Sequence, residues 1–348
     1  MIDNTGTDSV CVTIVTYNSA GVIRPCLDAL LRQHYPGLEI VIVDNASSDS
    51  TPQILQSYST EARLIFNQVN TGFAAGQNQA IAASQSDWVL TLNPDVLLMP
   101  GFIADLVASA RLDRRIGTVC GRLLRIRQDF TPLHETRIDS AGIFFTYTTR
   151  HFDRGWNEPD DGRYSQTEYV FGACAAAALY RRAMINDVAS ADGFFDPDFF
   201  SYREDADVAW RAQLLGWRCL YVAGAVSYHV RRMLPGERSS VPAVLNMHSV
   251  KNRFLMRVKN MTGDLYRRVW FPTTARDILI LGGCLFYEPT SLSAFWHFTR
   301  CLSRAIAKRK HIMARRRVSN DYIAAWFNAQ ATAQPVPAVA VAKAAAGD

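Results

Sequence analysis

Two acidic positions far apart in the chain carry the strongest chemical signals. Asp95 directly follows the apolar run Trp88–Leu92 and stands behind Pro94, which fixes the backbone and removes an N–H donor. A carboxylate there suits a hard cation such as Mg2+ or Mn2+. These ions take oxygen ligands, usually one or two carboxylates plus substrate phosphates. His229 follows a later strand-like run and could add a nitrogen ligand from the opposite wall. A lone histidine is more often a hydrogen-bonded surface or core residue, and beside Asp95 the two readings balance. Glu204-Asp205 comes after an aromatic run that includes Tyr202 and opens a helical pattern. The pair reads either as an N-cap favoured by the helix dipole or as a general base in a partly apolar cleft. Asp207 and Arg211, four apart, read as a surface ion pair. Asn70–Asn78 (NTGFAAGQN) resembles a glycine-rich loop opening a helix. It lacks GxGxxG and GxxxxGK[ST], so neither a dinucleotide site nor a Walker NTPase is supported.

The elements that must position these residues alternate through the first 110 positions. Val10–Thr16, Leu38–Asp44, Arg63–Phe66 and Trp88–Leu92 are short apolar, mostly β-branched runs, the pattern of strands buried on both faces. Between them, Ala20–Gln33, a segment from Thr51 and Ala74–Ser84 carry helical spacing. This order predicts a mixed, mainly parallel sheet covered by helices, which binds ligands at the carboxyl ends of its strands. Four polar clusters lie at those ends: Thr16-Tyr17-Asn18, Asp44-Asn45, Asn70-Thr71-Gly72 and Asn93-Pro94-Asp95. Turn chemistry alone explains any one of them; four together point to one crevice. From Ile116 to Tyr169 the pattern weakens. Val170–Tyr180 is small and apolar and reads as packed core, with Gly172-Ala173 on the acceptor side of the crevice together with Tyr202 and Trp210. Asp205–Leu215 reads as a helix stopped by Gly216, and Arg218–Val222 as a strand.

The 348 residues are 49% hydrophobic and 20% charged, ordinary for a globular chain large enough to need no disulfide staple. Seven scattered cysteines form no CxxC pair, which argues against a zinc ribbon and for a reducing compartment. The N-terminus lacks the apolar stretch of a signal peptide. Ile278–Thr299 is broken by Gly282-Gly283 and Glu288-Pro289, short of the roughly 20 apolar residues a span requires. Net charge is +5, and residues 289–320 hold no acid. That basic segment fits either an anionic membrane surface or packing on the catalytic domain or a second subunit. No nucleic-acid-binding signature accompanies it. The expected organisation is a catalytic domain over 1–240, with a nucleotide-binding half at 8–115 and an acceptor half at 116–240. A helical basic and aromatic region follows over 241–330, and a low-complexity, disordered tail over 331–348.

In order and spacing, VTIVTYNS, EIVIVDNASSDST, NTGFAAGQN, LTLNPDV, FFDPDFFSYREDADVAWRAQLLGW and His229 resemble glycosyltransferase family 2, in its rhamnosyltransferase-like branch. The resemblance runs from Val10 to Arg231. It implies an α/β GT-A fold and inverting transfer of a sugar from a nucleoside diphosphate. Thr16, Tyr17, Asn18, Asp44 and Asn45 would hold the nucleoside; Asn70, Gly72, Asn78 and Asn93 would shape the nucleotide pocket. Asp95 and His229 would bind the metal, and Asp205, with Glu204, would be the base. Asn93 stands where the family's first aspartate usually sits, so metal and donor are expected to bind together. The branch implies dTDP-rhamnose as donor, with a UDP-sugar as the alternative. The acceptor is a glycan or polyprenyl-linked hydroxyl in bacterial surface polysaccharide synthesis. The implied setting is cytoplasmic or peripheral at the inner membrane face, with a homodimer open. The rival readings are a nucleotidyltransferase and a non-catalytic glycan-binding module.

Overall fold

The computed structural model describes residues 8–231, 242–328 and 332–337. The N-terminal half builds β1 (Val10–Thr16), α1 (Ile23–Leu31), β2 (Leu38–Asp44), α2 (Thr51–Gln56), β3 (Arg63–Phe66), α3 (Phe73–Ala82) and β4 (Trp88–Leu92). β1 pairs in parallel with both β2 and β4, and β2 in parallel with β3. All of β1 and β4 is buried, as continuous apolar runs under helices on both faces require. Aligning Ile14 with Leu92 and Thr16 with Asp44 brings the polar clusters after β1, β2 and β4 to one edge.

The weakly patterned middle holds β5 (Val96–Leu98), α4 (Phe102–Ala110), β6 (Ile116–Arg125), β7 (Ile138–Ser140), β8 (Ile143–Phe145), β9 (His151–Asp153), β10 (Glu168–Val170) and β11 (Ala177–Arg181). α5 (Arg182–Val188), α6 (Glu204–Leu214) and β12 (Arg218–His229) follow. The parallel run ends at β4, because β11 inserts antiparallel between β4 and β6. β12 then runs parallel to β6, and the sheet is mixed, as expected. β12 is longer than the sequence suggested. It continues past Val222 through a register shift and ends at His229, because β6 offers a partner as far as Arg125. His229 therefore closes a strand and is not in a loop.

Four helices follow: α7 (Ala243–Asn260), α8 (Gly263–Phe286), α9 (Ser293–Ala314) and α10 (Asn320–Ala325). α8 runs through Gly282 and Gly283 without a break. It is the one helix among the described residues long and apolar enough to cross a membrane. β13 (Ala333–Pro335) pairs with β10 at the sheet edge, so this part of the expected tail is ordered by strand pairing; 338–348 lie outside the described residues. Much of the basic run is tied down within the chain. Arg304 and Lys308 bind Asp198, Lys308 also binds Asp196, Arg315 and Arg317 bind Asp187, and Arg309 donates to the Val258 and Met261 carbonyls. All seven cysteines are free, and six of them are buried.

Candidate active site

Asp95, His229, Glu204 and Asp205 line one cavity of about 450 Å³, together with Asn93 and Tyr202. β5 leaves the sheet just after Asp95 and pairs antiparallel with the end of β12, aligning Val96 with His229. Asp95 and His229 are therefore neighbours on one wall, not ligands on opposite walls, with His229 Nε2 3.4 Å from Asp95 Oδ1. Behind the imidazole, Nδ1 is 2.8 Å from Asp139 Oδ2, and Arg231 Nε contacts Asp139 Oδ1 at 3.0 Å. Burial alone would lower the His229 pKa; the Asp139 carboxylate, then Asp95, raises it to about 10. Burial would likewise raise Asp139, yet His229 and Arg231 hold it below the usual carboxylate range. A carboxylate behind a histidine fixes the ring and its tautomer, as it does behind metal-bound histidines.

No group of three or more His, Cys, Asp or Glu side chains suited to a metal occurs among the described residues. Asp95 and the oriented His229 supply one oxygen and one nitrogen. This donor set fits a cation that completes its shell with water and phosphate oxygens. A cation taken on Nε2 displaces a proton from the ring.

The second wall is the run into α6. Asp205 is partly open to the cavity, whereas Glu204 is buried beside it. Burial pushes the Asp205 carboxyl up to about 6, with Asp153 adding to the rise, while the Ala206 and Ala175 N–H groups counter it. Burial and then the Asp205 charge push Glu204 up to about 8. Burial and mutual repulsion therefore favour keeping a proton on the pair, with the accessible Asp205 the more acidic member. His151 and Asp153, two apart on β9, also line the cavity, as do Arg203 and Arg231. His151 is held neutral by burial and by Arg203, whose guanidinium lies 3.2 Å from Nδ1.

The residues expected at the nucleoside gather at the adjoining strand ends. Thr16 Oγ1 donates to Asp44 Oδ1 at 2.8 Å, and Ser47 N to Asp44 Oδ2 at 2.9 Å. Asn18 accepts from Ser48 N at 2.8 Å, and Tyr17 is half exposed. Asn45 donates to the Gly72 carbonyl at 3.0 Å, and Asn70 accepts from Gly72 N at 2.9 Å. Gly72 has φ +84°, and a Cβ there would sit 2.6 Å from Phe200, so only glycine allows this approach.

Four expected site residues lie elsewhere. Asn78 clasps the loop before α6: its amide donates to the Phe195 carbonyl at 2.7 Å and accepts from Phe195 N at 2.9 Å. Trp210 is fully buried against Phe145 and Phe327, because it sits on the core face of α6. Gly172 and Ala173 pack beneath the cavity, whose wall is instead Cys174, Ala175 and Ala176; a Cβ on Gly172 would lie 2.2 Å from Ala209. The Asp207–Arg211 pair exists at 2.9 Å but is buried, not on the surface. Asp139, His151, Asp153 and Arg231 were not singled out in the sequence. For His151/Asp153 the available signal was i, i+2 spacing, which puts both side chains on one face of β9.

Comparison with known proteins agrees with this geometry. The family model described as "Glycosyl transferase family 2" matches residues 11–188. An N-acetylglucosaminyl-diphospho-decaprenol L-rhamnosyltransferase of Mycobacterium tuberculosis is 27% identical over 245 residues, covering 64% of this chain and 76% of that one. A poly-beta-1,6-N-acetyl-D-glucosamine synthase of Staphylococcus aureus is 24% identical, over 62% of this chain and 48% of its own. Among solved structures, S. aureus TarS 1–349 superposes with TM-score 0.54 at 16% identity, over 88% of this chain and 89% of TarS. GalNAc-T7 with UDP, GalNAc and Mn2+ gives 0.56 at 14%, over 72% and 48%. These neighbours share the GT-A fold. The chain belongs to glycosyl transferase family 2 and is a glycosyltransferase, similar at 27% identity to a rhamnosyltransferase.

Proposed function

We propose that the chain is an inverting, metal-dependent transferase that moves rhamnose from dTDP-rhamnose to a hydroxyl of a polyprenyl-linked glycan. The observation that carries the chemistry is the meeting of Asp95, His229 and Asp205 on one cavity. The donor and acceptor classes rest on the 27% identical rhamnosyltransferase, whose name specifies a diphospho-decaprenol acceptor.

The ends of β1, β2 and β4 hold the nucleoside, with Tyr17 exposed beside them. Asp95 and His229 would hold a divalent cation, which would supply positive charge to offset the negative charge growing on the leaving diphosphate. Asp139 keeps the His229 ring in place. Across the cavity, Asp205 accepts the proton of the acceptor hydroxyl as that oxygen attacks. Attack from the side opposite the diphosphate inverts the anomeric centre. Glu204 stays protonated, so Asp205 ionises beside a neutral neighbour. Arg203 and Arg231 line the same cavity and favour an anionic substrate there.

The test pairs two variants under single-turnover conditions. Asp205→Asn should keep donor affinity and lose turnover by about 10²–10⁴, the usual worth of a general base. Asp95→Ala should lose the donor affinity gained with Mn2+, read by calorimetry with and without the ion. Near-wild-type turnover in Asp205→Asn removes that residue from the mechanism.

A further inference from the structure

α8 leaves large apolar side chains uncovered by the rest of the chain along much of its length. Phe271, Ile278, Leu281 and Leu285 are spaced seven, three and four residues apart, hence lie on one stripe, and this stripe is exposed: Phe271 by 67%, Ile278 by 65%, Leu285 by 49%. Phe286 at the helix end and Trp296 near the start of α9 extend it, exposed by 81% and 65%. Two polar groups at its middle face inward. Asp277 binds Arg253 and Arg257 of α7, and Thr273 donates to the Tyr147 carbonyl. An apolar face of this extent is uncommon on an uncovered protein surface.

Charge selects among the occupants. Arg267 opens the stripe, its side chain 80% exposed. Arg300, one turn beyond Trp296, and Lys310 are exposed on α9. Arg267 lies 3.6 Å from Asp264 at the start of α8, the stripe holds no acid from Arg267 to Leu285, and residues 289–320 contain none. Cations rimming an apolar helix face with tryptophan at its border match an anionic bilayer surface. A second copy would set the same cations against each other. A spanning α8 would have to give up the Asp277 ion pairs to α7.

We infer that α8 and the start of α9 form a docking surface for an anionic membrane, with α8 lying in the interface. This moves the membrane contact away from the basic run of α9, much of which is tied to the catalytic domain. It also sets the site beside the lipid. α8 contacts the β8–β9 turn at Tyr147, and β9 carries His151 and Asp153 of the cavity wall. The inference deepens the proposed lipid-linked acceptor, but its surface argument is independent of the sugar chemistry.

The test is sedimentation of the full chain with sucrose-loaded vesicles of phosphatidylcholine, with and without phosphatidylglycerol. The wild-type chain should bind the anionic vesicles. Combined Phe271→Ser, Ile278→Ser and Leu285→Ser should weaken partitioning at least about tenfold while leaving the circular dichroism and thermal midpoint unchanged. Arg267→Glu with Arg300→Glu should erase the preference for anionic lipid. Asp205→Asn should bind like wild type, so a failure of the proposed chemistry is read separately. A wild-type chain that stays in the supernatant with both vesicles overturns the inference. So does a wild-type dimer, seen by sedimentation equilibrium, that the triple serine variant dissolves.

Discussion

Adjacent carboxyls cannot both be poised for the same task, and at Glu204-Asp205 burial divides them. Asp205 opens to the cavity with its carboxyl near 6, while buried Glu204 sits near 8. A base works in its ionised form, so kcat/KM should rise with pH through about 6 and then level. Burial and then Asp153 raise this limb, while the Ala206 and Ala175 N–H groups and Arg203 lower it. Asp153→Asn removes a nearby negative charge and should move the limb to lower pH. A limb unmoved by that change, in stopped assays at fixed ionic strength, would separate it from Asp205. The sequence made Asp95 and Asp205 legible because each follows a strong element signal, a buried strand or a helix start. Asp139 was not, although it anchors His229. It lies where short strands and charged turns alternate without a period, and its role depends on β7 pairing with β6. Asn78 and Trp210 misled in the opposite way: both stand inside telling motifs, but their side chains hold the motif together.

The helices after β12 govern the acid loop as much as α6 does. Phe200, Tyr202 and Arg203 all have positive φ, between 66° and 71°, and none is glycine. Such residues cost of order 1–3 kcal/mol each and persist only where the surroundings hold them. Asn252 of α7 does the holding: its amide nitrogen donates to the carbonyls of Phe199, Ser201 and Tyr202 at 2.8–2.9 Å. Arg203 is pinned separately, to the Ser249 carbonyl at 3.0 Å. Asn252 is thus a positioning residue for Glu204 and Asp205. Asn252→Ala should lower kcat about ten- to a hundredfold, as a small misplacement of a base does. Donor affinity by calorimetry should hold, since the Asn252 amide bonds carbonyls of the loop that leads into α6. Equal losses in kcat and donor affinity would make Asn252 a general stabiliser instead. The aromatic loop itself was visible in the sequence. Its backbone strain was not, because positive φ at Phe or Tyr has no compositional sign, unlike the glycine at position 72.

At the scale of the molecule, the C-terminal helices are welded to the catalytic domain by charges that have left water. Lys259, on α7, lies 2.6 Å from Asp196 and 2.9 Å from Asp207, and all three are nearly fully buried. Asn260 and Arg211 complete the shell of Asp207, and Lys308 adds a contact to Asp196 at 2.7 Å. Removing one member of such a set leaves an uncompensated buried charge, which costs about 3–5 kcal/mol. Lys259→Met should therefore lower the urea-unfolding free energy by about that amount. Lys259→Met with Asp207→Asn should recover part of it, because the second change removes a stranded charge. The pH dependence has a definite sign. Burial alone would raise the Asp196 carboxyl, but Lys259 and then Lys308 bring it well below its usual range. The stabilisation is thus present above the ordinary carboxylate pKa of about 4 and is lost as pH falls toward the lower folded value. In Lys259→Met this acid limb should flatten, because one of the two cations that hold Asp196 low is gone. Wild-type and variant stability curves that stay parallel from neutral pH into the acid range would show that Lys259 acts through packing and not through charge.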